Sequence, residues 1–116
     1  MWFVSRSTPD SPIVCRIWGE LDATRAGQLR EVMRELAHYK QVVVDLGDVR
    51  FMDSAALGAL IGGLRRIREQ RGKVAIGAVR PNVARLLRTV GLDRLVPVEE
   101  TIEKATAAVG APTAVA

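Results

Sequence analysis

A serine follows an aspartate directly, Asp53-Ser54, where the apolar run Val42-Val43-Val44-Asp45-Leu46 and a short polar stretch give way to a helical pattern. A hydroxyl at a helix start lies among free backbone N–H groups and at the positive end of the helix dipole, and both favour an anion. A phosphate on Ser54 gains from both, and it adds about two negative charges beside Asp53. The chemistry that fits is a phosphorylation switch. Plain N-capping by Asp53 or Ser54 accounts for the same pair without any function, because both residue types are common caps.

Catalytic constellations are missing. His38 is the one histidine and Cys15 the one cysteine, too few for the usual zinc sites. Ser54 lacks the flanking glycines of a nucleophile elbow, since its context is Met52-Asp53-Ser54-Ala55-Ala56. Neither a Walker lysine motif nor GxGxxG occurs. The pairs Asp45-Asp48 and Glu99-Glu100 sit beside turns and read as solvated or capping residues. No catalytic residue, metal site or cofactor is expected, and the chain reads as a binding protein and not an enzyme.

The elements that must position Asp53-Ser54 follow from periodicity. Met1 to Ser5 reads as an edge strand, and Ser7 to Pro12 as a turn. Ile13 to Trp18 reads as a strand, broken by Gly19-Glu20-Leu21-Asp22. A helix capped by Asp22 or Thr24 runs to about Tyr39, with Ala26, Leu29, Val32, Met33, Leu36 and Ala37 as its apolar stripe. Gln41 to Leu46 is a β-branched run suited to a strand buried on both faces. Asp48 to Asp53 reads as a loop and Ser54 to Gln70 as a helix ended by Gly72.

Within that helix Gly58 and Gly62 are one turn apart, so they permit a close approach, most simply within the domain. Lys73 to Ala78 is a further strand. Pro81 opens a helix to about Val90, Leu95 to Val98 reads as a last strand, and Thr101 to about Ala108 as a last helix. Strands alternating with helices imply an α/β sheet with helices packed on it. One domain over residues 1–109 is expected, with 110–116 as a flexible tail.

Composition narrows the function. The chain has 116 residues, 48% hydrophobic and 26% charged, enough for one core. A single cysteine excludes an intrachain disulfide and suits a reducing compartment. Arg6 and Asp10 interrupt the start before any signal-like apolar run, and the longest apolar stretch, Ala55 to Leu64, is half the ~20 residues a membrane helix needs. The expected location is the cytoplasm, without membrane contact. Net charge is +4, weak for a nucleic-acid binder, and only Trp2, Phe3, Trp18, Tyr39 and Phe51 could stack on bases. Direct nucleic-acid binding is therefore not expected.

Phe51-Met52-Asp53-Ser54-Ala55-Ala56-Leu57-Gly58 resembles the FMDSSGLG signature of STAS domains, in particular bacterial anti-sigma factor antagonists. Gly19-Glu20-Leu21-Asp22 is similar to the family's GELD turn, Val42 to Leu46 to its central strand, and Arg80 to Leu87 with Gly91-Leu92 to its third helix and the following GL. The resemblance spans about residues 2–108. It implies a STAS fold, a single mixed four- to five-stranded sheet packed with about four helices.

The resemblance also implies a partner switch. The unphosphorylated protein binds an anti-sigma factor that is a serine kinase and so frees a sigma factor; phosphorylation of the serine matching Ser54 releases it, and a phosphatase reverses this. The partner surface it implies is Asp22, Asp53, Ser54, Ala55, Leu57 and Gly58. Ala55-Ala56 departs from the usual Ser/Thr-Gly, placing a methyl near the site at Ala56. Two other readings stay open: a STAS scaffold or adaptor in a stressosome-like or lipid-transport complex, and a basic nucleic-acid-binding protein.

Overall fold

Val42, Val43 and Val44 are each fully buried, so the strand that carries them is covered on both faces. The computed structural model describes residues 1–110, and this strand lies at the centre of its sheet. Four strands, β1 (Trp2–Ser5), β2 (Ile13–Leu21), β3 (Gln41–Met52) and β4 (Lys73–Gly77), lie in the order β1-β2-β3-β4. β1 pairs antiparallel with β2, while β2, β3 and β4 are mutually parallel. Parallel neighbours need crossovers. These are α1 (Ala26–Leu36), after a single 3-10 turn at Ala23–Arg25, and α2 (Ser54–Glu69). α3 (Pro81–Thr89), the short α4 (Leu92–Leu95) and α5 (Ile102–Gly110) complete the described chain.

The main core lies between one sheet face and the first helices. β2 alternates as a half-buried strand should, placing Ile13, Cys15, Ile17 and Leu21 inward. They meet Leu29, Val32, Met33 and Leu36 of α1 and Leu57, Leu60, Leu64 and Ile67 of α2. On the opposite face, α5 lays Ala105 and Val109 over Val43 and Ala75, with Val14 and Ile102 at the margin. It packs so closely that a Cβ at Gly77 would stand 3.0 Å from Ala105 Cβ.

Four sequence expectations are corrected. Gly19-Glu20-Leu21 does not break the second strand but continues it, because all three residues pair with β3. Residues 48–52 are not a loop but the second half of β3, paired with β2 through Trp18↔Asp48, Glu20↔Phe51 and Leu21↔Met52. Gly47 and Asp48 look like turn residues, yet two register shifts, each taking up one extra residue of β3, let the pairing with β2 continue and bring Val49 and Met52 into the core. Leu95 to Val98 is not a strand. Leu92–Leu95 is helical, and only Val98 bridges to Ile76, because Pro97 has no N–H to extend a ladder. The first helix ends at Leu36, before His38 and Tyr39. Among the described residues the sheet therefore has four strands, accompanied by five α-helices. Gly110 closes α5, and the rest of the expected tail, 111–116, lies outside the described residues.

Candidate functional site

The ends of β2 and β3 are locked together. Leu21 pairs with Met52, and Asp53 N donates to Leu21 O at 3.0 Å. The residues that follow, Asp22 and Asp53, therefore leave the sheet side by side. Both have extended backbones and both cap what comes next. Asp22 Oδ1 accepts from Thr24 Oγ1 at 2.6 Å and Thr24 N at 3.1 Å; Asp53 Oδ1 accepts from Ala56 N at 3.0 Å. The Thr24 hydroxyl, helped by backbone N–H groups, holds the Asp22 carboxyl below the usual carboxylate range. Capping thus occupies one oxygen of each carboxylate.

Ser54 is the first residue of α2 and is exposed; among the described residues none hydrogen-bonds to its side chain. Beyond it, Ala55, Gly58 and Gly62 run along the outside of the helix at spacings of three and four. A Cβ at Gly58 or Gly62 would meet nothing within 4 Å. The close approach within the domain belongs instead to Gly63, where a Cβ would overlap Met33 of α1. The result is a groove of about 340 Å³ between α1 and α2, with Ser54 at one end and small residues as its floor. Arg30 and Arg34 of α1 and Arg66 of α2 line it, with Arg34 also 3.2 Å from Glu31.

The structure thus brings Asp22, Asp53, Ser54, Ala55 and Gly58 to one end of the molecule. It does not add Leu57. That side chain is 7% exposed and belongs to the core, as does Met52 at 6%, because a helix packed on a sheet must turn its large apolar residues inward. Ala56 is fully buried too, so its methyl, expected near the site, is a core atom and only Ala55 changes the outer surface. Three arginines, Arg30, Arg34 and Arg66, line the groove whose Ser54 end lies beside Asp22 and Asp53. Sequence reasoning missed Arg30 and Arg34. Their signal was the spacing of four on the polar side of α1, but nothing linear ties that side to Ser54.

Cys15 is fully buried in β2, and burial, reinforced by the charge of Asp45, pushes its thiol up to about 12. His38 is exposed past the end of α1. Among the described residues no cluster of His, Cys, Asp and Glu could hold a metal ion, and no helix is long and apolar enough to cross a membrane.

Residues 4–105 match the family model described as STAS domain. An anti-sigma F factor antagonist of Paenibacillus polymyxa is 34% identical over 89 residues, covering 74% of this chain and 76% of its own. An anti-sigma-B factor antagonist of Staphylococcus aureus is 28% identical over 102 residues, covering 86% and 94%. Among solved structures, an anti-sigma factor antagonist from Mycobacterium paratuberculosis superposes with a TM-score of 0.80 at 25% identity, covering 94% of this chain and 92% of that one. With the family model running over nearly the whole described sheet and its helices, and with the Asp53-Ser54 helix start in place, this chain belongs to the STAS-domain family.

Proposed function

We propose that this protein is an anti-sigma factor antagonist that works by partner switching in the cytoplasm, without catalysis of its own. Its unmodified form binds an anti-sigma factor with serine kinase activity and so frees a sigma factor. Phosphorylation of Ser54 ends that binding, and a phosphatase restores it. Residues 1–109 are the domain that carries this activity. The curated relatives are named for antagonism of anti-sigma factors, which supports the partner class.

One observation carries the switch: Ser54 is exposed, unengaged and first in α2, at the mouth of the groove between α1 and α2. The groove's open floor at Gly58 and Gly62 admits a partner backbone, and its arginines suit a partner with acidic side chains. A phosphate on Ser54 would be stabilised by the helix N-terminus, compete with those acidic groups for the arginines, and repel what remains. Incubation with the cognate kinase and ATP, followed by phosphosite mapping, tests the proposal. Phosphate is expected at Ser54 and at no other serine or threonine. Stable capture of the kinase by Ser54→Ala with no phosphate incorporated is the second expected result. Modification confined to another residue would end it.

A further inference from the structure

The sheet face opposite α1 and α2 is only half covered. α5 covers the first half of β3 and then ends the protection; beyond it the face is open. Register fixes what stands there. Paired residues share a face, so Phe3, opposite Arg16, and Phe51, opposite Glu20, lie on the same side as Arg16, Trp18 and Glu20. Their β2 neighbours Cys15, Ile17 and Leu21 point the other way, into the core. Phe3, Trp18 and Phe51 therefore form a staggered row across three strands, 60%, 36% and 49% exposed. Phe3 and Trp18 are diagonal neighbours, a relation that spaces side chains about 7–8 Å apart.

Beside this row is an open cleft of about 400 Å³ lined by Arg16, Trp18, Asp48, Arg50 and Arg80. Arg16 forms an ion pair with Asp48 and lies 5.9 Å from the Trp18 ring centre. Arg80 Nε donates to Gly47 O at 3.0 Å, and Asn82 Nδ2 to Arg50 O at 2.9 Å, which ties α3 to this margin of the sheet. Arg16 foremost, then Arg80 and Arg50, hold the Asp48 carboxyl below its ordinary range. Asp48 and Asp45, which the register sets opposite Arg16, together offset two of the three guanidiniums, so this margin keeps a single positive charge in surplus. Glu20, opposite Phe51, puts an anion at the far end of the face.

We propose that this open sheet face binds single-stranded nucleic acid, with Trp18, Phe3 and Phe51 stacking on bases and Arg50 and Arg80 holding phosphates. Flat exposed rings on a sheet with guanidiniums at their edge are what unpaired bases and a polyanionic backbone require. The sequence argued against nucleic acid because aromatic residues are few. Folding changes that argument by gathering three of the five on one face. The net charge of +4 favours a polyanion over a second, equally cationic copy of this chain.

Fluorescence anisotropy with a labelled single-stranded RNA of about twelve nucleotides, in low salt, tests this. Binding is expected to fall about tenfold in Trp18→Ala, the scale of one lost base stack. Arg50→Glu with Arg80→Glu should weaken it further and flatten the salt dependence. Arg65→Glu, on the exposed side of α2, should leave it unchanged, and duplex RNA should compete poorly. All these substitutions are on the surface, and circular dichroism checks that each variant is folded. No binding at about 100 µM protein would overturn the proposal. So would equal competition by duplex, or loss of binding in Arg65→Glu with Trp18→Ala unaffected, which would mark unspecific attraction to a polycation. Light scattering that shows dimers abolished by Trp18→Ala, with no RNA bound, would assign the face to a second copy instead.

Discussion

The two sides of α2 use glycine for opposite ends. Gly63 faces α1, where a Cβ would overlap Met33 from Cβ to Cε; the absent side chain is what allows the two helices to pack at that distance. Gly58 and Gly62 face outward with nothing within 4 Å of a Cβ, so packing within the domain does not require them. Each costs the helix about 1 kcal/mol against Ala. A residue type that lowers stability with no return inside the domain points to a use outside it, and these two glycines floor the groove that begins at Ser54. The inner side of the helix is closed by packing, and the outer side is open.

The sharpest way to break that contrast is at Gly63. Gly63→Val should destabilise the fold by about 3 kcal/mol, since overpacking at a helix crossing displaces backbone and not a flexible chain end. Urea unfolding measures it. A loss below about 0.5 kcal/mol would mean that α1 and α2 can separate freely, and the inner side would not differ from the outer.

Next in size is the outer side at its first residue. Ser54→Glu puts a carboxylate beside Asp53 and should weaken partner binding by about 2 kcal/mol, or roughly 30-fold. Stability should barely move, because the side chain is exposed. Titration calorimetry against the anti-sigma partner, run alongside thermal unfolding, separates the two effects. Undiminished affinity, with binding lost instead on Arg65→Glu, would place the interface at the basic end of α2.

The buried side has a pH signature as well. In the folded chain the Cys15 thiol is pushed up to about 12, while an unfolded cysteine titrates near ~8.5. Below that lower value both states keep the proton and stability is unaffected. As pH rises above it, only the unfolded chain ionises, so stability falls, by at most about 1.4 kcal/mol per pH unit, until pH nears the folded value. Comparing wild type with Cys15→Ala across pH 8 to about 10 isolates this slope from other titrations. Parallel curves would show that water reaches the thiol.

The smallest effect tests the other half of the contrast. Gly58→Ala and Gly62→Ala should each stabilise the helix by about 0.5–1 kcal/mol, the propensity gained where no neighbour is struck. They should also lower partner affinity, since methyls would rise from the groove floor. Variants that gain stability and keep full affinity would show that the groove floor lies outside the interface.

Much of this is legible in the sequence. The β-branched run Val42 to Val44 named the central strand, and Leu29-Val32-Met33-Leu36 named the buried side of α1, because periodic burial is written locally in residue type. Asp53-Ser54 marked a helix start for the same reason: a cap satisfies N–H groups two or three residues away. The misread segments depended on partners distant in the chain. Residues 48–52 became strand because β2 was there to pair with them, against the turn preferences of Gly47 and Asp48. The glycines of α2 could be counted, but only the position of Met33 distinguishes Gly63 from Gly58 and Gly62.

Sequence alone determined the alternation of strand and helix, the central buried strand, and a serine placed where an anion is favoured. Those depend on side-chain volume, polarity and backbone groups within a few residues. Tertiary structure alone decided that Arg30 and Arg34 line a groove reaching Ser54, that Leu57 is turned away from it, and that Phe3, Trp18 and Phe51 share one open face. Each of these is a matter of which surfaces meet, and that is set by the register of the sheet and the packing of helices, to which residues far apart in the chain contribute together.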